Sequence, residues 1–162
     1  MAAVDYFLKL KGIDGESQDS KHKNEIDLES WSWGETNSGT FASGGGGGAG
    51  KVSMQDFHFV MKVNKASPKL MEYCASGQHI PDAILTCRKA GKEQQEFLQF
   101  KFSDLLIASY QTGGSGHGDV VPTDQISFNF SKIELSYKPQ KADGSLDGAI
   151  AAGWNLKQNV KV

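Results

Sequence analysis

Short runs in which apolar and polar residues alternate recur along most of this chain of 162 residues. A period of two is typical of β-strands that bury one face, and Gly, Pro, Asn and Asp clusters between the runs are typical of turns. Many short strands separated by turns predict a mainly β sandwich or barrel. The predicted strands cover residues 4–10, 25–33, 52–63, 83–89, 96–102, 125–137 and 153–159. The short apolar run 103–111 fits a buried strand and a helical turn equally well.

One helix is predicted in the stretch SPKLMEYCASG. Ser67 is a suitable N-cap, Pro68 fits the first helical turn, and Gly77 fits the C-terminal stop. A helical period then places Leu70, Tyr73 and Cys74 on one face. We therefore expect a single amphipathic helix packed on a β-barrel.

Three of the predicted strands change the parity of their apolar positions part-way along. In 125–137, for example, the apolar residues move from even numbers up to Phe130 to odd numbers from Ile133 onwards. The runs 25–33 and 52–63 change parity in the same way. Bent strands that pass between two sheets produce this pattern. Strands with one end in the core and the other against a neighbouring subunit produce it too, and the second explanation predicts an oligomer.

The composition excludes several classes of partner. A length of 162 residues suits a single domain over 1–162. The formal net charge of −2 comes from charges of both signs, so no basic surface predicts nucleic-acid binding. No apolar stretch is long enough to span a bilayer, which predicts that the chain does not insert into membranes.

The N-terminus and the cysteines predict where the chain is made. Asp5 and Lys9 interrupt the first apolar stretch, so residues 1–17 do not resemble a secretory signal. Cys74 and Cys87 lie in apolar contexts and are predicted to be buried free thiols of a reducing compartment. We expect synthesis in the cytoplasm, with export only through a dedicated machine.

Two long glycine-rich loops, 34–51 and 112–119, interrupt the strand pattern. Residues 44–53 read GGGGGAGKVS, and Gly45, Gly50 and Lys51 fit a phosphate-binding loop. However, Val52 stands where that motif needs Ser or Thr, and a predicted strand follows instead of a helix. The favoured interpretation is a long flexible loop, because loops of this length are usually functional or disordered.

The residues give no pattern typical of an enzyme, a metal site or a cofactor site. The four histidines, His22, His58, His79 and His117, lack the spacing of metal ligands. Ser115 and His117 lie two residues apart in a loop, without a third residue to orient a base. We therefore predict a protein that is not an enzyme and that uses no cofactor.

Six blocks along the chain closely resemble the haemolysin-coregulated protein (Hcp) family, the tube proteins of bacterial type VI secretion systems. They are EIDLESWSWG (25–34), GGGGGAGKVSMQDF (44–57), RKAG (88–91), PTDQISFNF (122–130), YKPQKADGS (137–145) and AGWNLKQN (152–159). The resemblance implies a two-sheet β-barrel with one helix, assembled as a hexameric ring. It also implies that rings stack into a tube driven by a contractile sheath with a spike protein at its tip. Family members carry effectors in the lumen as receptor and chaperone, and are released from the cell without a signal peptide.

The resemblance assigns expected roles to two parts of the chain. The loop 34–51 is similar to the family's extended hairpin loop, which makes its glycines and Lys51 candidates for contact with the next ring. These glycines are Gly44, Gly45, Gly46, Gly47 and Gly48. Trp31 and Trp33 are expected to point to the core, which leaves Ser32 on a polar face as a candidate for lining the lumen and contacting cargo.

Alternatives remain for both assignments and for the function as a whole. The loop is otherwise disordered without a partner, and Ser32 is otherwise a strand hydroxyl that meets no cargo. One rival function is a nucleotide-dependent enzyme built on Gly45 to Lys51. The other is a monomeric β-barrel that binds a small ligand in its interior, although large aromatic residues at interior positions leave little room.

Overall fold

The computed structural model describes residues 4–39, 51–90, 94–118 and 120–162. In these ranges the chain is mainly β with a single helix, as predicted. In chain order the elements are β1 (Val4–Leu10), β2 (Ile26–Asp27), β3 (Ser30–Ser32), β4 (Glu35–Asn37), β5 (Val52–Met54), β6 (Phe57–Lys62), α1 (Ser67–Ser76), β7 (His79–Lys89), β8 (Gln95–Gly113), β9 (Thr123–Tyr137), β10 (Ile150–Asn155) and β11 (Val160–Lys161).

The strands form one branched nine-stranded sheet and a separate hairpin of β4 and β5. Every pairing is antiparallel, and the main path runs from β11 through β10, β9, β8, β7 and β1 to β2. Strand β6 branches from β9 and carries β3 on its other edge. Strands β2 and β3 are consecutive parts of one chain segment. The series of paired strands therefore begins and ends at this segment. No continuous ladder joins these two short strands, so the sheet is not closed.

The prediction of one strand over 25–33 is wrong, because the segment changes its hydrogen-bond partner part-way. Ile26 and Asp27 pair with β1, whereas residues 30–32 pair with β6. Between them the Leu28 N–H donates to the Tyr6 carbonyl over 3.0 Å, and the next N–H turns to β6. The run 52–63 is likewise two strands, β5 and β6, separated at 55–56. In both runs the change of parity marks a break between strands.

The parity change in β9 has a different origin, a bend shared with β8. Asp104 in β8 has a positive φ of 58°, a conformation that turns an extended chain. Buried positions before it include Phe102 and after it Leu105, so the inward face changes from even to odd numbers. In β9 the inward face changes between Phe130 and Ile133, directly opposite. A bend in the two paired strands therefore explains the change of parity here, although both strands stay within one sheet, and 103–111 is part of β8.

The predicted strand over 153–159 is wrong in its second half. Strand β10 ends at Asn155, and residues 156–159 turn the chain back so that β11 pairs with β10. Asn159 has a positive φ of 54°, which asparagine tolerates better than most residues. The C-terminal residues thus form a short hairpin at the edge of the main sheet.

The helix lies against β8 and differs from its prediction at one end. Gly77 is the expected C-cap, with a φ of 71° and its N–H bonded to the Tyr73 carbonyl over 3.0 Å. Ser67 is not the N-cap: Ala66 holds that position, and Ser67 is the first helical residue. The Ser67 hydroxyl instead donates to the buried Asp124 carboxylate over 2.6 Å, which ties the helix to β9. Leu70 is fully buried, as predicted.

Aromatic side chains fill the space enclosed by the bent sheet. Phe57, Phe59, Phe102 and Phe128 are all less than 2% exposed. The ring centroids of Phe128 lie 5.0 Å from Phe57 and 5.1 Å from Phe102. These distances are typical of favourable aromatic pairs. These four side chains therefore already fill the interior space in which the rival interpretation would place a small ligand.

An ion-pair cluster around the buried Arg88 side chain holds the segment before β2 against the sheet. The Arg88 guanidinium on β7 donates to both Asp19 oxygens, at 3.0 and 2.6 Å, and to Asp5 on β1 at 3.1 Å. It also lies over the Phe7 ring, 4.8 Å from the centroid. The hydrogen bonds from Arg88 outweigh burial and lower the pKa of Asp19 from 3.8 to about 2. Bidentate geometry of this kind makes a strong pair.

The lowered pKa of Asp19 predicts how stability changes in acid. A carboxylate whose pKa is lower in the folded state stabilises the fold above its unfolded pKa, and that contribution is lost as the pH falls from about 4 to about 2. The shift corresponds to about 2 kcal/mol. We expect the free energy of unfolding of the native protein to exceed that of Asp19→Asn by this amount at pH 6. The difference should become small near pH 2. Urea denaturation of both proteins across this range measures it, and a constant difference would contradict the assignment.

Candidate functional site

Strand β3 places Ser32 on the outside of the molecule. The flanking Trp31 and Trp33 are half-buried against the core, where the Trp31 ring stacks on Phe57 with centroids 6.0 Å apart. Because side chains alternate along a strand, Ser32 points away from both indoles and is exposed. The predicted orientation of Ser32 agrees with this placement. Its contact with cargo stays a prediction.

Ser32 begins a row of polar side chains that crosses four neighbouring strands. It lies opposite His58 in β6, which lies opposite Ser127 in β9, which in turn pairs with Ser109 in β8. The hydroxyls of Ser109 and Ser127 are hydrogen-bonded to each other. A register shift between Ile107 and Ser109 reverses the parity of β8, so Ser109 joins this outward row.

A second row lies directly beside the first. Ser30, Val60, Gln125 and Gln111 follow one another across the same four strands. We call the two rows together the neutral face, since no Asp, Glu, Lys or Arg occurs among their eight residues. Its members are Ser30, Ser32, His58, Val60, Ser109, Gln111, Gln125 and Ser127. Sequence reasoning found only Ser32, because the register that joins the others is set by tertiary pairing.

The hairpin of β4 and β5 forms the base of the predicted extended loop. Glu35 pairs with Met54 and Asn37 with Val52, and the Gln55 N–H closes the base on the Gly34 carbonyl at 2.9 Å. The candidate stacking glycines 44–48 lie outside the described residues. Lys51 is exposed at the start of the returning arm. It is followed by a strand, whereas a phosphate-binding loop requires a helix there, so the nucleotide interpretation lacks its structural context.

A groove of about 690 Å³ runs between this hairpin and the strands β9 and β10. Its lining is mostly apolar and includes Trp33, Met54, Leu135 and Trp154. The indole Nε1 atoms of Trp33 and Trp154 are buried and have no hydrogen-bond partner. The groove could not be predicted from the sequence, because it depends on how the hairpin lies against the sheet.

Reactive and metal-binding side chains elsewhere form no metal centre in the part of the chain that the structure describes. No group of three or more His, Cys, Asp or Glu residues there is placed to hold a metal ion. The Ser115 hydroxyl accepts the His117 backbone N–H at 3.3 Å in an exposed turn. Burial raises the pKa of the Cys87 thiol to about 12, which keeps it protonated and unreactive. Over the described ranges, no helix is both long and apolar enough to cross a membrane.

Comparison with known families decides which class of protein has this fold and these surfaces. A family model described as "Type VI secretion system effector, Hcp" matches residues 7–137. The chain belongs to the Hcp family. Protein hcp1 of Pseudomonas aeruginosa is 48% identical over 161 residues, covering 98% of this chain and 99% of that protein.

Solved Hcp structures have the same fold over the full chain. Hcp1 from Salmonella typhimurium is 38% identical with a TM-score of 0.80, and the match covers 99% of this chain and 100% of that one. A structure described as a type six secretion system protein is 33% identical with a TM-score of 0.93 and the same coverage. The resemblance inferred from the six sequence blocks is therefore confirmed, and the chain is a type VI secretion protein of mainly β structure.

Proposed function

We propose that this Hcp chain is the ring-forming subunit of the type VI inner tube. Six copies close into a ring, and rings stack into a hollow conduit that a contractile sheath drives outward behind a tip spike. The observation that carries this proposal is family membership, supported by similarity to Protein hcp1 over 98% of this chain.

Open sheet edges support assembly with further copies. Among the described strands, the main sheet ends at β11 and β2, β3 pairs with β6 alone, and the hairpin of β4 and β5 pairs with no strand of the main sheet. Unpaired edges favour association with other strands, and a closed ring covers them. Exposed apolar side chains lie at the same region of the sheet: Ile150 is 67% exposed and its cross-strand neighbour Tyr137 is 44% exposed. A neighbouring subunit would bury this area.

Sedimentation velocity tests the ring directly in solution. We expect a species of six times the 17.5 kDa chain mass that persists on dilution. A monomer at every concentration would contradict the proposal and would favour the rival of a monomeric ligand-binding module.

The hairpin is proposed to contact the next ring. We expect deletion of residues 44–48 to leave rings that close but stack poorly, because the arms β4 and β5 remain while the segment that connects them is shortened. Electron microscopy of tubes at matched concentration measures the number of rings per stack. Deletion of residues 115–116 from the second glycine-rich loop is the control and should leave stacking unchanged. An equal number of rings per stack in both deletions would contradict the proposal that the hairpin contacts the next ring.

The lumen is proposed to carry effectors, with the chain acting as their receptor and chaperone before release outside the cell. Ser32 is the candidate contact, and its exposure on a polar strand face supports this role. Synthesis in the bacterial cytoplasm and export through the type VI machine belong to the same proposal.

A further inference from the structure

Residues 14–25, with the sequence DGESQDSKHKNE, form a strap over the outward face of the sheet, and none of them has an aliphatic side chain or a Phe, Tyr or Trp ring. Both ends of the strap are fixed, because it follows Ile13 and precedes Ile26, each at most 2% exposed. Ordering a segment of this length costs conformational entropy, which burial of apolar side chains normally offsets. Since the strap lacks that contribution, other contacts must hold it in place.

The backbone of the strap is hydrogen-bonded to itself. The Gly15 N–H donates to the Asn24 carbonyl at 2.7 Å, and the Ser17 N–H donates to the Glu25 carbonyl at 3.0 Å. The two arms lie so close together that a Cβ added at Gly15 would be 2.5 Å from the Glu25 carbonyl oxygen. Among the described residues, no backbone hydrogen bond joins the strap to the sheet. The strap can therefore leave the sheet without breaking a ladder between strands.

Side chains attach the strap to the sheet. The Arg88 guanidinium on β7 donates to the Asp19 carboxylate. The buried His22 imidazole is hydrogen-bonded to Glu96 on β8, with 2.6 Å between Nε2 and Oε1. The His22 ring also stacks on Phe7 of β1, with centroids 4.4 Å apart. Charged and ring contacts thus take the place of the apolar packing that usually holds a long segment.

Phe7 is the apolar side chain that the strap covers. It is 3% exposed, yet it is not part of the main core cluster, to which its neighbour Leu8 belongs. It points to the outward face, on which the next residue of the same orientation, Lys9, is exposed. The His22 ring and the Arg88 guanidinium bury it there. Removal of the strap would therefore expose the Phe7 ring and leave the main core intact.

We propose that the strap opens as a separate unit, with Ile13 and Ile26 as its fixed ends, while the strands stay folded. Segments with few buried apolar contacts open at a lower free energy than the core of the same protein. The contact with Glu96 is the more exposed attachment, because the Glu96 side chain is 41% exposed and that of Asp19 is 19% exposed. Glu96 is therefore the latch that a substitution can weaken without disturbing Arg88. The opening belongs to the single chain and does not depend on the proposed ring.

Hydrogen exchange in the native full-length protein measures this opening. Mass spectrometry follows exchange in a peptide that contains 14–25 and in one that contains β9, at several urea concentrations below the unfolding transition. We expect the protection factors of the hydrogen-bonded strap amides to be at least about tenfold lower than those of β9. Their dependence on urea should also be weaker, because opening the strap exposes less surface than global unfolding.

Two variants separate the strap from the rest of the fold. Glu96→Gln weakens the latch, and strap exchange should become about three- to tenfold faster, since the carboxylate is partly exposed. Phe128→Leu weakens the aromatic core, which stays packed when the strap opens. It should speed exchange in β9 and leave strap exchange within about a factor of two of native. Glu72→Gln, at an exposed position of α1, is the charge-matched control and should change neither peptide.

Several results would overturn the proposal. Strap amides that exchange at the same rate and with the same urea dependence as those of β9 would show that the strap opens only in global unfolding. Strap exchange as fast as in an unfolded chain would show that the strap is not closed. Equal acceleration of both peptides by Phe128→Leu, or native strap exchange in Glu96→Gln, would also contradict a separate unit latched at Glu96.

Discussion

Replacing Arg88 by alanine is expected to destabilise the fold by about 3–5 kcal/mol. The side chain is only 3% exposed, and it is the hydrogen-bond partner of both Asp19 and Asp5. Removing it leaves two carboxylates close together without their cation, and it also removes the contact with the Phe7 ring. The loss is large because the cost of desolvating the carboxylates remains while the compensating attraction disappears.

Urea denaturation at pH 7 measures this effect, and Lys101→Ala provides the control. Lys101 is an exposed cation on β8, so its removal should change the free energy of unfolding by no more than about 0.5 kcal/mol. Arg88→Lys keeps the positive charge but not the paired hydrogen bonds to Asp19. We expect its loss of unfolding free energy to lie between those of Lys101→Ala and Arg88→Ala. Equal stability of Arg88→Ala and Lys101→Ala would show that the cluster does not hold the segment before β2.

Replacing Phe128 by alanine is expected to cost a similar amount, about 3–5 kcal/mol. Phe128 is fully buried, and its ring meets those of Phe57, Phe59 and Phe102 with centroids 5.0–6.2 Å away. The alanine variant loses the transfer energy of the ring and leaves a cavity that neighbours on two other strands cannot close. Since domains are stable by only about 5–15 kcal/mol, the loss is a large share of the total.

Thermal and urea unfolding of Phe128→Ala measure this prediction. Asn129→Ala changes the next residue on the same strand, which is exposed, and should be nearly neutral. Leucine in Phe128→Leu fills much of the volume of the phenylalanine ring. This variant should therefore lose less unfolding free energy than the alanine variant. A loss below about 1 kcal/mol in Phe128→Ala would show that the aromatic cluster does not form the core.

The sequence predicted well those elements whose pattern is local. Apolar residues stand at every second position of 4–10, with Phe7 as an additional apolar residue between Tyr6 and Leu8, and β1 occupies the same bounds. Gly77 ends the helix because a left-handed C-cap needs only glycine at the right position. The six blocks that resemble Hcp proteins identified the family because they combine aromatic and glycine residues in a fixed order.

Elements that depend on tertiary pairing were predicted less well. The segment 25–33 reads as one strand, yet it changes partner between β1 and β6. The bend at Asp104 and the register shift after Ile107 each reverse the inward face of β8, which made 103–111 ambiguous. Of the neutral face only Ser32 could be found, because the neighbours of a strand are not encoded within it.

Negative-stain electron microscopy of the purified full-length chain tests the central claim most directly, since that claim is assembly with copies of itself. The account predicts class averages of annular particles with six-fold symmetry and an open centre, together with side views of stacked rings. A uniform population of compact single-chain particles at every concentration, without annular packing, would contradict it.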